Sequence, residues 1–202
     1  MQVERLRFAY PGEPVLVRDW SATIAPGITE LHGDTGSGKT TLLRVLAGEL
    51  PAAGRLTLGG AVLAEAPDRY RRQVFYIDPG TERFHALTGR ACIAALAEGD
   101  AGFDGARCEA LVQGFGLEPH IEKPLYMLST GSRRKVWLAA ALASGRPLTL
   151  LDEPTAALDS GSIRHLWSAL ADVAARRDRA VLLASSERIE GLPLAASIFL
   201  PL

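Results

Sequence analysis

The stretch GDTGSGKTT, Gly33 to Thr41, sets Lys39, Thr40 and Thr41 directly after three spaced glycines. That spacing, G-x-x-x-x-G-K-[ST], is the one a phosphate-binding loop needs. Gly36 and Gly38 let the backbone fold so that successive N–H groups point inward at phosphate oxygens. The cradle would run through Gly33, Asp34, Thr35, Gly36, Ser37 and Gly38, and a helix opening at Lys39 adds its positive N-terminal end. Lys39 is then a mobile point charge for the β- and γ-phosphates, and Thr40 offers a hydroxyl to Mg²⁺. An ordinary Gly-rich turn needs neither residue at those offsets.

A second stretch, LTLLDEP (Leu148 to Pro154), buries four residues and releases two carboxylates at a strand end. In parallel α/β sheets ligands bind at that edge. Asp152 can hold Mg²⁺ through coordinated water, and Glu153 is the natural base for a hydrolytic water. A third apolar run, AVLLASSERIE (Ala180 to Glu190), ends in Ser185 and Ser186 where a strand meets a polar turn.

The elements that must carry these residues follow from periodicity. VERLRFAY alternates as a half-exposed strand does, Pro11 to Pro14 is a turn, and Ser21 to Ile24 and Ile28 to His32 read as strands. A helix is expected over Lys39 to Ala47, stopped by Gly48. GRLTLGG and QVFYID are short strands. From Thr81 to Met127 the texture is Ala-rich and broken by glycines, as in an inserted helical subdomain. A helix (Gly131 to Ala143), the strand PLTLLD, a helix (Ser160 to Arg176), the AVLLAS strand and a last strand AASIFL complete the chain. Continuous apolar strands alternating with helices indicate parallel strands buried on both faces, an α/β fold.

The chain has 202 residues, of which 48% are hydrophobic and 22% charged, enough for one domain with a full core. A formal net charge of −1 gives no electrostatic reason to bind nucleic acid or an anionic membrane surface. Cys92 and Cys108 have no metal-ligand spacing and are expected as two unpaired thiols in a reducing compartment. No signal core and no membrane-spanning apolar run is present, so any membrane role must come through a partner.

With LSTGS (Leu128 to Ser132) and LLDEPTAALD (Leu150 to Asp159), the chain resembles an ABC-type ATPase along its whole length. GDTGSGKTT corresponds to the Walker A loop. LLDEPTAALD corresponds to Walker B, the catalytic Glu153 and the D-loop ending at Asp159. LSTGS is similar to the family signature LSGGQ. FAYPGEPVL resembles the segment whose aromatic residue stacks on adenine, which makes Tyr10 the candidate. The resemblance implies a P-loop NTPase core with a mainly parallel sheet, an N-terminal antiparallel β subdomain and an inserted helical subdomain. The core would cover about 1–78 and 145–202, and the helical part about 79–144 including the signature. It also implies ATP and Mg²⁺ as ligands. A second ABC ATPase subunit would pack head to tail, placing Ser129 and the Gly131 N–H against the partner's γ-phosphate at a helix N-terminus. Those N–H groups serve equally in capping. An integral membrane transporter subunit would hold the chain at the cytoplasmic face.

The pattern departs from the family at three places. Where the family has a switch histidine at the end of a strand, aligned strand ends put Ser186, which is shorter and cannot carry positive charge near neutral pH. Where it has a glutamine, this chain reads Asp78-Pro79, with Pro79 the equivalent and Asp78 a partial substitute through metal-bound water. In the signature, Thr130 and Ser132 replace a glycine and the glutamine. Lys39, Glu153 and Ser186 are the expected catalytic set, and another residue such as His165 in the sensor place would overturn the assignment of Ser186. The leading expectation is the ATP-hydrolysing subunit of a transporter with slow basal turnover, compact like the haem-exporter type. The alternatives are a degenerate regulatory subunit of a heterodimer and a soluble ABC ATPase not involved in transport.

Overall fold

The computed structural model describes residues 1–201. The chain opens with β1 (Gln2–Ala9) and β2 (Val15–Thr23), followed by β3 (Gly27–His32), α1 (Lys39–Leu46), β4 (Ala53–Leu58) and β5 (Ala61–Val62). Next come α2 (Pro67–Arg71), β6 (Val74–Phe75), α3 (Gly89–Ala97), α4 (Gly105–Gly114) and α5 (Thr130–Ala143). The remainder is β7 (Leu148–Asp152), α6 (Ser160–Arg176), β8 (Ala180–Ser185) and β9 (Leu194–Phe199).

Two sheets form. The antiparallel one has the order β2-β1-β4-β5, and the parallel one the order β6-β7-β8-β3-β9. This is the α/β P-loop architecture expected. The middle strands of the parallel sheet, β7, β8 and β3, are buried almost throughout because both faces are covered. Leu151, Val181 and Leu183 point into one hydrophobic cluster, with α3 to α6. Leu150, Leu182 and Ala184 point into the other, with α1 and the antiparallel sheet. Alternation along a strand thus feeds two cores at once. Both cysteines are free and buried, and burial pushes each thiol up to about 11.

Several elements differ from expectation. The second strand begins at Val15 rather than Ser21, because Arg5 and Asp19 adopt positive φ (48° and 53°) and bulges break the period of two. QVFYID yields only Val74 and Phe75 as strand, an edge pair against β7. The short α2 has proline at its start and Asp68 in its first turn, a start signal that its brevity hid.

Register in the parallel sheet positions the chemistry. His32 pairs with Ser185, and Asp152 pairs with Ala184. The chain therefore leaves β3, β7 and β8 at one level, delivering Gly33, Glu153 and Ser186 to the same edge.

Candidate functional site

That edge holds a cavity of about 490 Å³ lined by Thr35, Gly36, Gly38, Lys39, Thr40, Thr41, Asp152, Glu153, Ala156 and Ser186. Residues far apart in the chain meet here because three strand ends and one helix start converge.

The loop needs its glycines for distinct reasons. Gly36 and Gly38 have φ of 82° and 96°, a region that side chains resist. A Cβ on Gly38 would also collide with Leu16, and one on Gly33 would sit 2.6 Å from Ser37 Oγ. Ser37 Oγ is itself buried without a partner. Asp34 closes the loop with its backbone carbonyl, which accepts from the Ser37 N–H at 3.1 Å.

Lys39 is 6% exposed. Its Nζ donates to the carbonyls of Gly33 (2.7 Å) and Asp34 (3.0 Å) and lies 3.2 Å from Glu153 Oε1. Oxygens of a phosphate group could replace these as partners of the ammonium. Such charge-assisted bonds are stronger than neutral ones, so a phosphate chain competes well for Lys39.

Thr40 Oγ1 donates to Asp152 Oδ2 at 2.6 Å, while Asp152 Oδ1 is buried with no partner. Burial pushes the Asp152 carboxyl above its usual range, opposed by the Thr40 bond and raised further by the Glu153 charge. A buried carboxylate with a free oxygen beside a hydroxyl fits Mg²⁺, which takes few protein ligands and completes its shell with water and phosphate. Among the described residues no cluster of three His, Cys, Asp or Glu could hold a metal alone.

Glu153 lies at φ 43°. A non-glycine residue there costs about 1–3 kcal/mol and persists only where its surroundings impose it. The carboxylate it carries is one-third exposed and faces Lys39.

Other candidates lie outside the cavity lining. Tyr10 is 43% exposed, and its hydroxyl is 3.2 Å from Thr41 Oγ1, with its ring edge-on to Phe8. Ser129 caps α5 by accepting from the Ser132 N–H at 3.1 Å. Gly131 packs so closely that a Cβ would collide with the Ala157 carbonyl. The signature glycine thus has an intramolecular reason as well as the expected one across a dimer. His165, on α6, packs edge-on against Phe115 just after α4, with ring centroids 4.8 Å apart. It does not reach the cavity lining, and Ser186 does.

Pro79 lines a small apolar void of about 30 Å³ with Asp152, Pro154 and Arg134. Asp78 turns elsewhere, accepting from Gly80 N at 2.8 Å and lying 3.9 Å from Arg44 Nε. Two residues escaped the sequence reading. Tyr76 has a buried hydroxyl without a partner, and burial with the charges of Asp152 and Asp78 raises its pKa. Glu30 is 2% exposed and accepts from the Ile189 N–H at 2.8 Å and from Ser197 Oγ at 3.2 Å. It anchors the loop that follows Ser186. Its presence inside an apolar strand was the available signal, since buried acids need partners.

Comparison with known proteins places this geometry. The family model described as ABC transporter matches residues 17–156. The chain is 40% identical over 152 residues to the cytochrome c biogenesis ATP-binding export protein CcmA of Paramagnetospirillum magneticum, covering 73% of this chain and 70% of that one. It is 33% identical over 204 residues to the taurine import ATP-binding protein TauB of Pseudomonas fluorescens, covering 99% and 76%. A solved structure described as an ATP binding subunit of an ABC transporter superposes with a TM-score of 0.75 at 25% identity, over 91% of this chain and 78% of that one.

Proposed function

The chain belongs to the ABC transporter family and is one of its ATPases, and from that premise we propose that it is the ATP-hydrolysing subunit of a membrane transporter. The observation that carries the reading is the meeting of Lys39, Thr40, Asp152, Glu153 and Ser186 around one cavity. No described helix is long and apolar enough to cross a membrane, so a membrane-spanning subunit would hold this chain at the cytoplasmic face.

In this reading the N–H groups of residues 33–38 cradle the phosphates, and Lys39 exchanges Glu153 and the loop carbonyls for β- and γ-oxygens. Tyr10 stacks on adenine. Thr40 and Asp152 would hold Mg²⁺, which supplies positive charge to the β- and γ-oxygens when bound. Freed from Lys39, Glu153 orients a water and accepts its proton as the water oxygen bonds to the γ-phosphorus and ADP leaves. Ser129 and Gly131 of a second, head-to-tail copy or homologue complete the site from the far side of the phosphate. Residues of about 1–78 and 145–202 serve as the ATPase core, and those of about 79–144 as the helical lobe.

Turnover should be slow. A serine hydroxyl sits directly on Cβ, so Ser186 reaches the γ-phosphate less well than a histidine ring, and Pro79 offers no amide to the water. Loose alignment of a reacting water costs rate strongly. The same two residues favour a second reading, the regulatory member of a heterodimer, while Glu153 favours an active one.

Relatives carry both export and import names. The proposal therefore concerns the ATP-driven half that such systems share. An affinity-tagged chain isolated from detergent-solubilised membranes should bring down a protein with several apolar spans in stoichiometric amount. Recovery of the chain alone, entirely in the soluble fraction, would favour the soluble ATPase instead.

A further inference from the structure

Among the described residues five non-glycines have positive φ, and two of them, Glu153 and Ala157, lie in the turn between β7 and α6. The Glu153 peptide is held on three sides. Its N–H donates to Ala184 O at 2.9 Å, and its carbonyl accepts from Ala156 N at 3.0 Å. The third contact comes from another element. Nη1 of Arg134, on α5, donates to the Glu153 carbonyl and to the Asp152 carbonyl at 3.1 Å.

This is an unusual use of a cation. Arg134 is half-buried, its Nε has no partner, and among the described residues it makes no ion pair with a carboxylate. Burial lowers its pKa, while the charges of Asp152 and Glu153 oppose that shift. An apolar side chain would suit its neighbours Trp137 and Leu138 in the adjacent void. What the guanidinium adds is a grip on the two peptides that aim Asp152 and Glu153.

Two further residues of α5 extend the grip. Lys135 Nζ donates to Asp159 Oδ2 at 2.7 Å. Gly131 meets the carbonyl of Ala157. The first turns of α5 therefore clasp the whole turn from Glu153 to Asp159. Ser129 and Gly131 stand at the start of that same helix.

We propose that Arg134 is a positioning residue that holds the Glu153 peptide in its left-handed conformation and so ties the aim of the carboxylate to the placement of α5. Movement of the α5 N-terminus, on engaging nucleotide across a dimer, is then felt at Glu153 of its own site through one guanidinium. This rests on Glu153 being the base, as proposed above.

The test compares unaltered protein with Arg134→Gln, Arg134→Lys and Arg134→Ala, measuring kcat, KM for ATP, equilibrium ATP affinity and melting temperature. Arg134→Gln should lower kcat about tenfold or more while KM and affinity stay within about twofold, because phosphate binding does not use this contact. Arg134→Lys should recover part of the rate, since an ammonium keeps the charge but loses the planar fork. Low-millimolar guanidinium ion should raise kcat of Arg134→Ala and leave unaltered protein unchanged. An unchanged kcat in Arg134→Gln overturns the proposal. So does a joint fall of affinity and melting temperature with no recovery by lysine or guanidinium, which would make Arg134 a packing residue. Glu153→Gln is the separate control. If that variant turns over ATP normally, the base assignment fails and takes this proposal with it. If only the Arg134 results fail, the base assignment stands.

Discussion

Lys39→Ala is expected to weaken ATP binding by about two to four orders of magnitude, because two charge-assisted contacts worth about 1.5–3 kcal/mol each are lost together. Among the described residues Lys39 is the only lysine lining the cavity, and its Nζ is buried between the loop carbonyls and Glu153. Its present partners show how well the position is built for anionic oxygens. Removing the ammonium leaves the N–H cradle intact, so weak binding should persist while affinity for the triphosphate collapses towards that for a diphosphate. Calorimetric titration with ATP reads this directly. Unchanged affinity and unchanged turnover in Lys39→Ala would sink the phosphate-loop assignment. The fold itself should survive, since Lys39 is the first residue of α1 and belongs to neither hydrophobic cluster.

Glu153→Gln is expected to lower kcat by about 10²–10⁴-fold, the range a positioned general base contributes, with ATP still bound. Glutamine keeps the length and one acceptor oxygen of the side chain but cannot take the water's proton. It also removes the ion pair at 3.2 Å that occupies Lys39 in the absence of nucleotide. ATP affinity should therefore be equal or somewhat tighter, and unhydrolysed ATP should hold two copies together. Sizing the variant with and without ATP–Mg²⁺ reports the assembly. A monomer in both conditions would point to a heteromeric partner, and normal turnover would remove Glu153 from the chemistry.

Much of this site could be read from residue spacing because each motif encodes its own local geometry. Glycines at 33, 36 and 38 permit one loop path, and an apolar run ending in Asp152 declares where a buried strand surfaces. What the spacing cannot convey is the register between strands. Only the pairing of His32 with Ser185 and of Asp152 with Ala184 brings Ser186 to the cavity of Lys39. The β2 boundary was hidden for a related reason, since bulges at Arg5 and Asp19 shift the alternation that marks a strand. Arg134 illustrates a further limit. In sequence it is one of three basic residues on a polar helix turn, indistinguishable from a solvated face. Its partners are backbone carbonyls, which leave no trace in residue types. The φ of Glu153 is equally silent, because nothing about a glutamate signals a left-handed backbone.

The central claim is that this chain binds ATP well and hydrolyses it slowly, with Ser186 standing where a longer sensor belongs. Measuring ATP affinity and single-turnover hydrolysis on the unaltered protein beside Ser186→His tests it most directly. Both proteins should bind ATP in the micromolar range, on the order of −8 kcal/mol. Turnover of the unaltered protein should lie well below the median enzyme's rate of about 10 s⁻¹. Ser186→His should give a partial gain in kcat, because Pro79 still lacks an amide for the water. Rapid hydrolysis by the unaltered protein, or a histidine at 186 that leaves kcat unchanged, would contradict it.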